Sequence, residues 1–376
     1  DLSSTTRVLR KMEPATKPCK SKLRKEAPPL THFSNLLFSG SAFLTSLEVL
    51  FLGTLCLLSS DQYSFLNVSG SFSFRVLFAY FLVQSGFRRL YNSYLEACFF
   101  SFPSTRTQPS HEHRLAKESK DLNGRQQEQL RVLETHDLVT FLAVNSFELV
   151  VYFVVPGFYP PSDFSFAVKE KLLSLIGNHL TMSFAMYWMH RACHSVPLLW
   201  KIHSIHHWAK HPLSRNTYED HWLDNLLNAF VGHFCAQVLF PLDFTTFFFS
   251  HLFRIAESLE KHSGISSPLN LAHQLTVLFV PWAQMPHHHD WHHEGFKGSN
   301  FTFSSVGGVW DCLFGTRHEG RSKRISNSQT TPIDKQMISQ RETGQINKGQ
   351  KNFFDTATGS LTPVVLVVGA ALWKLY

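Results

Sequence analysis

The chain has 376 residues and a net charge of +7, with 35 Lys and Arg against 28 Asp and Glu. That length admits one large domain or two ordinary ones. The charge alone would suit nucleic acid, but there is no nucleic-acid-binding motif, and basic residues beside apolar runs fit the cytoplasmic side of a membrane protein better.

Residues 1–33 are polar and basic, with Arg7, Arg10, Lys11, Lys17, Lys20, Lys22, Arg24 and Lys25, and are expected to be disordered. The first residue is Asp1 rather than Met, so an upstream targeting segment stays open. Ser34–Leu58 and Phe72–Phe102 are apolar runs, read together as a first transmembrane hairpin over 34–102. Residues 103–137 form a polar connector. Leu138–Phe158 is apolar again, and Pro156, Gly157, Pro160 and Pro161 stop it. Leu172–Met189 leads into a histidine-rich stretch. Leu223–Ile255 is mostly apolar with Pro241 near its middle, which gives two helical passes or one kinked span. Residues 319–376 are a polar tail ending in the short apolar Leu361–Leu375, suited to a tail anchor or an interfacial helix. No βαβ alternation occurs. The predicted class is an all-α integral membrane protein: about four transmembrane helices in hairpins, with a cytosolic histidine-rich helical cap.

Sixteen of the 22 histidines lie between His190 and His293. Eight fall in three clusters: His190 and His194; His203, His206 and His207; His289, His292 and His293. Residues three and four apart share a helix face, so each cluster presents its imidazoles together. A tetrahedral zinc takes four protein ligands, or three and a water, so eight candidates suit a centre of two ions. The six cysteines (Cys19, Cys56, Cys98, Cys193, Cys235, Cys312) include no CxxC pair, which argues against a disulfide scaffold or a zinc finger. Cys193, inside the first cluster, reads as a small buried side chain. Paired Glu-x-x-His, the alternative di-metal signature, is absent; Glu219 and Asp220 before His221, and Glu257 and Glu260 before His262, come nearest.

The pattern HxxxH…HxxHH…HxxHH among apolar spans resembles the fatty-acid hydroxylase/sterol desaturase superfamily of non-haem di-iron oxidoreductases. Within it the chain most resembles the sterol C4-methyl oxidases. Lys201 before His203, the Leu259–Gly264 segment with its His-Ser-Gly, His288–His293 as HHDxHH, Asn300, and Trp310–Thr316 as WDxxFGT match motifs of that branch. Trp208, Ile265 and the order around Tyr218, Glu219 and Asp220 depart from it. The cholesterol 25-hydroxylases share the His-Ser-Gly and closing motifs. The resemblance covers a catalytic domain placed at 138–318.

It implies two non-haem irons held by His190, His194, His203, His206, His207, His262, His289, His292 and His293. His221 stands as either a further ligand or a supporting partner, and Asp290 and Asp311 as supporting partners, with Glu219 a further candidate acid; His211, His273 and His287 are expected not to be ligands. It also implies O2-dependent oxidation of a sterol at the C4-methyl group, with electrons from NAD(P)H through cytochrome b5. The chain itself has no glycine-rich nucleotide fingerprint. The expected setting is the endoplasmic reticulum membrane, with the histidines facing the cytosol. Oxidation of another lipid is the alternative, and a non-enzymatic metal-binding membrane protein a more distant one. The Asn300-Phe-Thr glycosylation triplet, on the cytosolic side, is expected to be unused, whereas Asn67-Val-Ser suits the lumen.

Overall fold

A computed structural model describes residues 74–107, 168–294, 298–318 and 356–375. The predicted tail at 1–33, the apolar runs at 34–58 and 138–158, most of the connector and most of the polar tail lie outside the described residues. Their α-helices are α1 (Phe74–Ser101), α2 (Val168–Ser195), α3 (Pro197–His203), α4 (Trp222–Asn225), α5 (Val231–Leu239), α6 (Phe244–Lys261), α7 (Leu271–Val277), α8 (Pro286–Glu294), α9 (Gly308–Leu313) and α10 (Ala357–Leu375).

The 223–255 run resolves into two arms. α4, a π-turn over Leu226–Phe230 and α5 continue one another, and Pro241 falls in the break before α6. Proline ends the first arm because it can neither donate to the helix ladder nor let the preceding residue stay helical. Asp243 starts the second as its N-cap, taking the Thr246 N–H at 3.1 Å and the Thr246 hydroxyl at 2.7 Å.

Apolar faces assemble these helices around α2. Tyr187, Trp188 and Met189 pack with Phe301, Phe314 and Val364. Cys235 and Val238 of α5 meet Ala371 of α10. α5 approaches α2 closely at Gly232, where a Cβ would lie 2.5 Å from Met186 Cγ. On the other side, Leu95, Cys98 and Phe99 of α1 pack with Leu213, Ile255, Leu259 and Ile265. Burying each such side chain stabilises by roughly 1.5–3 kcal/mol where it leaves water. Ile265, which replaces an aromatic of the family pattern, is thus a core residue. Gly264 takes φ +67° just beyond α6, a left-handed turn open to glycine, and Ile265 then bridges antiparallel to Arg106 beyond α1.

Among the described residues one helix, α10, is long and apolar enough to cross a bilayer. It begins four residues before the predicted Leu361 and packs on α2 and α5, while Val365, Leu366 and Trp373 stay exposed.

Candidate metal centre

α8 carries the sequence Pro-His-His-His-Asp-Trp-His-His-Glu, and Pro286–His293 are all buried. Burying so polar a helix is unfavourable unless its ring nitrogens find partners. His288 caps the helix, its Nδ1 accepting the Met285 N–H at 3.0 Å. His289, His292 and His293 turn towards residues of α2, α3, the 3-10 turn His206–Trp208 and the end of α6.

The nine predicted histidines come together in two groups. Nε2 atoms of His190, His194, His203, His207 and His292 converge in one; those of His206, His262, His289 and His293 form the other. Within each group the candidate ligand atoms lie within 4.8 Å of one another. The middle cluster therefore splits: His203 and His207 face one group, and His206 the other.

The outer nitrogens decide what the inner ones offer. His190 Nδ1 meets Phe301 O at 2.7 Å, His203 Nδ1 meets Asp224 Oδ2 at 2.8 Å, and His292 Nδ1 meets Ser299 O at 2.7 Å. His262 Nδ1 meets Ser258 O and His293 Nδ1 meets Ala209 O, both at 2.8 Å. Carbonyls and carboxylates only accept, so these five rings carry their proton on Nδ1 and point bare lone pairs inward. The lone pairs of His190 and His292 face each other at 3.1 Å. His289 Nε2, 2.9 Å from His262 Nε2 and 3.2 Å from His293 Nε2, has at most one proton to share between them. Facing lone pairs repel unless a cation lies among them. Two nitrogens each about 2.1 Å from one ion and at right angles stand about 3.0 Å apart, close to these separations. The donor set fits one cation per group.

Burial disfavours the charged form of seven of the rings, His190 among them, and ligation requires the neutral form. It holds His206, His207, His289 and His293 well below the usual histidine range, His262 down to about 4 and His292 to about 3. Neighbouring imidazoles push the same way, except at His262, where the neighbouring charge is Lys261. Lys261, the last residue of α6, is also buried and pushed down to about 7 by desolvation; it donates to Gln284 Oε1 and Thr302 O.

Asp224 holds His203, a role the sequence reading assigned to Asp290, Glu219 or Asp311. Asp224 follows His203 by 21 residues, and no local spacing marks the pair. Asp311 acts one step further out. Its carboxylate takes the N–H groups of Phe301 and Thr302, the Gln284 amide and the Thr316 hydroxyl. That fixes the loop whose Phe301 carbonyl orients His190. Asn300, at φ 54°, bonds His288 O and His318 O through its amide, so it is buried. His221 caps α4, accepting the Leu223 N–H at 3.2 Å, and bonds to neither group. Asp290 is buried on α8. Glu219 takes the Asn216 amide at 2.7 Å. Glu260 binds the Ala272 and His273 N–H groups and the His273 ring, and Glu257 binds Ser305 and Arg254. His287 pairs with Ser266 at 3.0 Å. Neither His273 nor His287, nor the buried His211, belongs to either group. Cys193 is a free buried thiol, 3.8 Å from Asp224 Oδ1.

A cleft of about 70 Å³ opens beside both groups, lined by Met186, Phe303, Asn228, His203, His206 and His262. Phe303 stacks on His190, with centroids 4.3 Å apart.

Residues 175–316 match the fatty acid hydroxylase family model. The chain is 29% identical over 182 residues to a very-long-chain aldehyde decarbonylase of Oryza sativa subsp. japonica, covering 47% of this chain and 57% of that protein. It is 29% identical over 149 residues to methylsterol monooxygenase 1-1 of Arabidopsis thaliana, covering 40% and 48%. It is also 29% identical over 148 residues to methylsterol monooxygenase 1 of Danio rerio, covering 39% and 47%. The chain thus spans about half the length of the curated relatives it matches. No solved structure matches it. The resemblance to the fatty-acid hydroxylase superfamily, and within it to the methylsterol monooxygenases, holds, and the segment that matches the family model carries all nine histidines.

Proposed function

We propose that the chain is a membrane-bound, O2-dependent lipid oxidase with two non-haem irons, acting on the C4-methyl group of a sterol. The observation that carries the reading is the convergence of nine imidazoles, by their Nε2 atoms, into a group of five and a group of four. An imidazole-rich set suits iron among the transition metals, and the likeness to methylsterol monooxygenases supports the substrate. His190, His194, His203, His207 and His292 hold one ion, and His206, His262, His289 and His293 the other. Iron bound there supplies the activation of O2 that oxidation of an unactivated C–H bond requires.

The protein's own share is orientation and exclusion of water. Carbonyls of Phe301, Ser299, Ser258 and Ala209 and the Asp224 carboxylate fix the planes of five rings. Met186 and Phe303 give the cleft an apolar wall. Its volume is far below the roughly 300–1,000 Å³ of a pocket that encloses a drug-sized ligand. The cleft therefore receives the reacting end of the lipid while the remainder lies outside, in the bilayer. By the same resemblance, electrons come from NAD(P)H through cytochrome b5, the membrane is the endoplasmic reticulum, and the histidines face the cytosol.

The likeness to a very-long-chain aldehyde decarbonylase favours a second reading, in which a long-chain aldehyde occupies the cleft. The sterol profile of cells lacking the protein separates the two. Accumulation of 4-methylsterols, reversed by the wild-type chain and not by His206→Ala, is the expected result. A normal sterol profile with raised very-long-chain aldehydes would replace the first reading with the second.

A further inference from the structure

Asn228 sits in the middle of the π-turn Leu226–Phe230, a distortion that recurs at functional sites because it redirects a side chain. The residue is 7% exposed and lines the cleft beside His203, His206 and His262. Its Nδ2 donates to Asp224 Oδ1 at 2.8 Å and to Asp224 O at 3.1 Å. Both partners are acceptors, which fixes the orientation of the amide. Oδ1 is left buried, without a hydrogen-bond partner among the described residues. A buried carbonyl oxygen with no donor is unfavourable, and here a ligand in the cleft can supply one.

A lipid can bring that donor as a hydroxyl. The Asp224 carboxylate beside it is already engaged by His203, Asn228 and Cys193. Met186, Ala229 and Phe303 form an apolar wall that suits a hydrocarbon body. We propose that Asn228 Oδ1 accepts a hydrogen bond from a lipid hydroxyl close to the carbon presented to the histidine groups, so that Asn228 selects hydroxylated lipids. This rests on the oxidase reading and narrows its substrate class. A sterol suits the arrangement, since C3, which bears its hydroxyl, is bonded directly to C4, and a short cleft can hold both.

The test measures binding of labelled lipids to the detergent-solubilised full chain, with metal content determined on each sample. The probes are a 4,4-dimethyl-3-hydroxysterol with its 3-deoxy analogue, and octadecanol with octadecane. The wild type should prefer the hydroxyl member by about tenfold, the scale of one buried hydrogen bond. Asn228→Leu should remove that preference. Asn228→Asp should keep it, because two carboxyls this close share one proton, which bridges to Asp224 Oδ1 and leaves the second oxygen of residue 228 as an acceptor. Loss of the preference in Asn228→Asp as well would mean that the oxygen is not what binds the hydroxyl and would overturn the proposal. An unchanged preference in Asn228→Leu would overturn it too, as would a wild type indifferent to both hydroxyls. A preference seen with octadecanol and not with the sterol would uphold Asn228 and remove the sterol reading. Asn228→Ala replaces Asn228→Leu if the larger side chain prevents folding.

Discussion

Asp224 shows how much a single residue outside the histidine pattern carries. One carboxylate oxygen accepts from His203 Nδ1 and the other from Asn228 Nδ2, at 2.8 Å each. An asparagine has one oxygen and one NH2, so Asp224→Asn must set a donor against a donor at one of these contacts. Loss of such a partner behind a metal-bound histidine typically costs about 10–100-fold in metal affinity or activity. We expect Asp224→Asn to lower iron affinity in that range, measured by equilibrium dialysis, with near-normal expression. Equal affinity would show that His203 needs no carboxylate. The three clusters were legible because histidine is rare in apolar surroundings and the spacing puts each cluster on one face. Asp224 was not, because its partner arrives from a different helix and the sequence between them has no repeating signal.

At the scale of elements, α8 is the clearest case of one kind of helix serving another. Apart from Pro286 and Trp291 it is polar, and it is buried because α2, α3 and α6 deliver ring nitrogens and loops deliver carbonyls to it. Helix α2 in turn is placed by α5, whose Gly232 lets the two backbones approach. Adding a side chain there meets Met186, which also lines the cleft. Gly232→Val should therefore destabilise the chain by about 1–3 kcal/mol through overpacking. It should also weaken lipid binding before metal content changes, since Met186 moves first. Thermal denaturation and lipid binding read the two effects, and an unchanged melting temperature would contradict the close approach. The break at Pro241 was legible. The π-turn was not, because Leu226–Phe230 has the composition of an ordinary helix and only the tertiary position of Asn228 marks it.

For the whole molecule, the buried imidazoles act together on stability. His262 and His292, held at about 4 and about 3 chiefly by burial, are neutral in the folded chain at pH 5. Once unfolded they return to about 6.5 and bind protons. The folded state therefore binds fewer protons in this interval, so stability rises with pH there. The metal-free chain should be at full stability above about pH 7 and should lose it as the pH falls from 6.5 towards 3. A melting temperature lower by more than about 5 °C at pH 5 than at pH 7 is expected. A flat profile over that range would mean that the histidines are solvated.

The sequence by itself determined the helical class, the break at Pro241 and the nine histidines, because periodicity, proline geometry and residue type are local properties. It also carried the family resemblance through motifs that occupy short windows. Only the tertiary structure decided which histidine joins which group. The split of His206 from its neighbours His203 and His207 depends on how α6 and α8 cross the turn that bears them. It likewise decided that Asp224 and four backbone carbonyls fix the ring protons. The contacts of His190, His203 and His293 join residues 21 to 111 apart, and no local pattern in the chain encodes them.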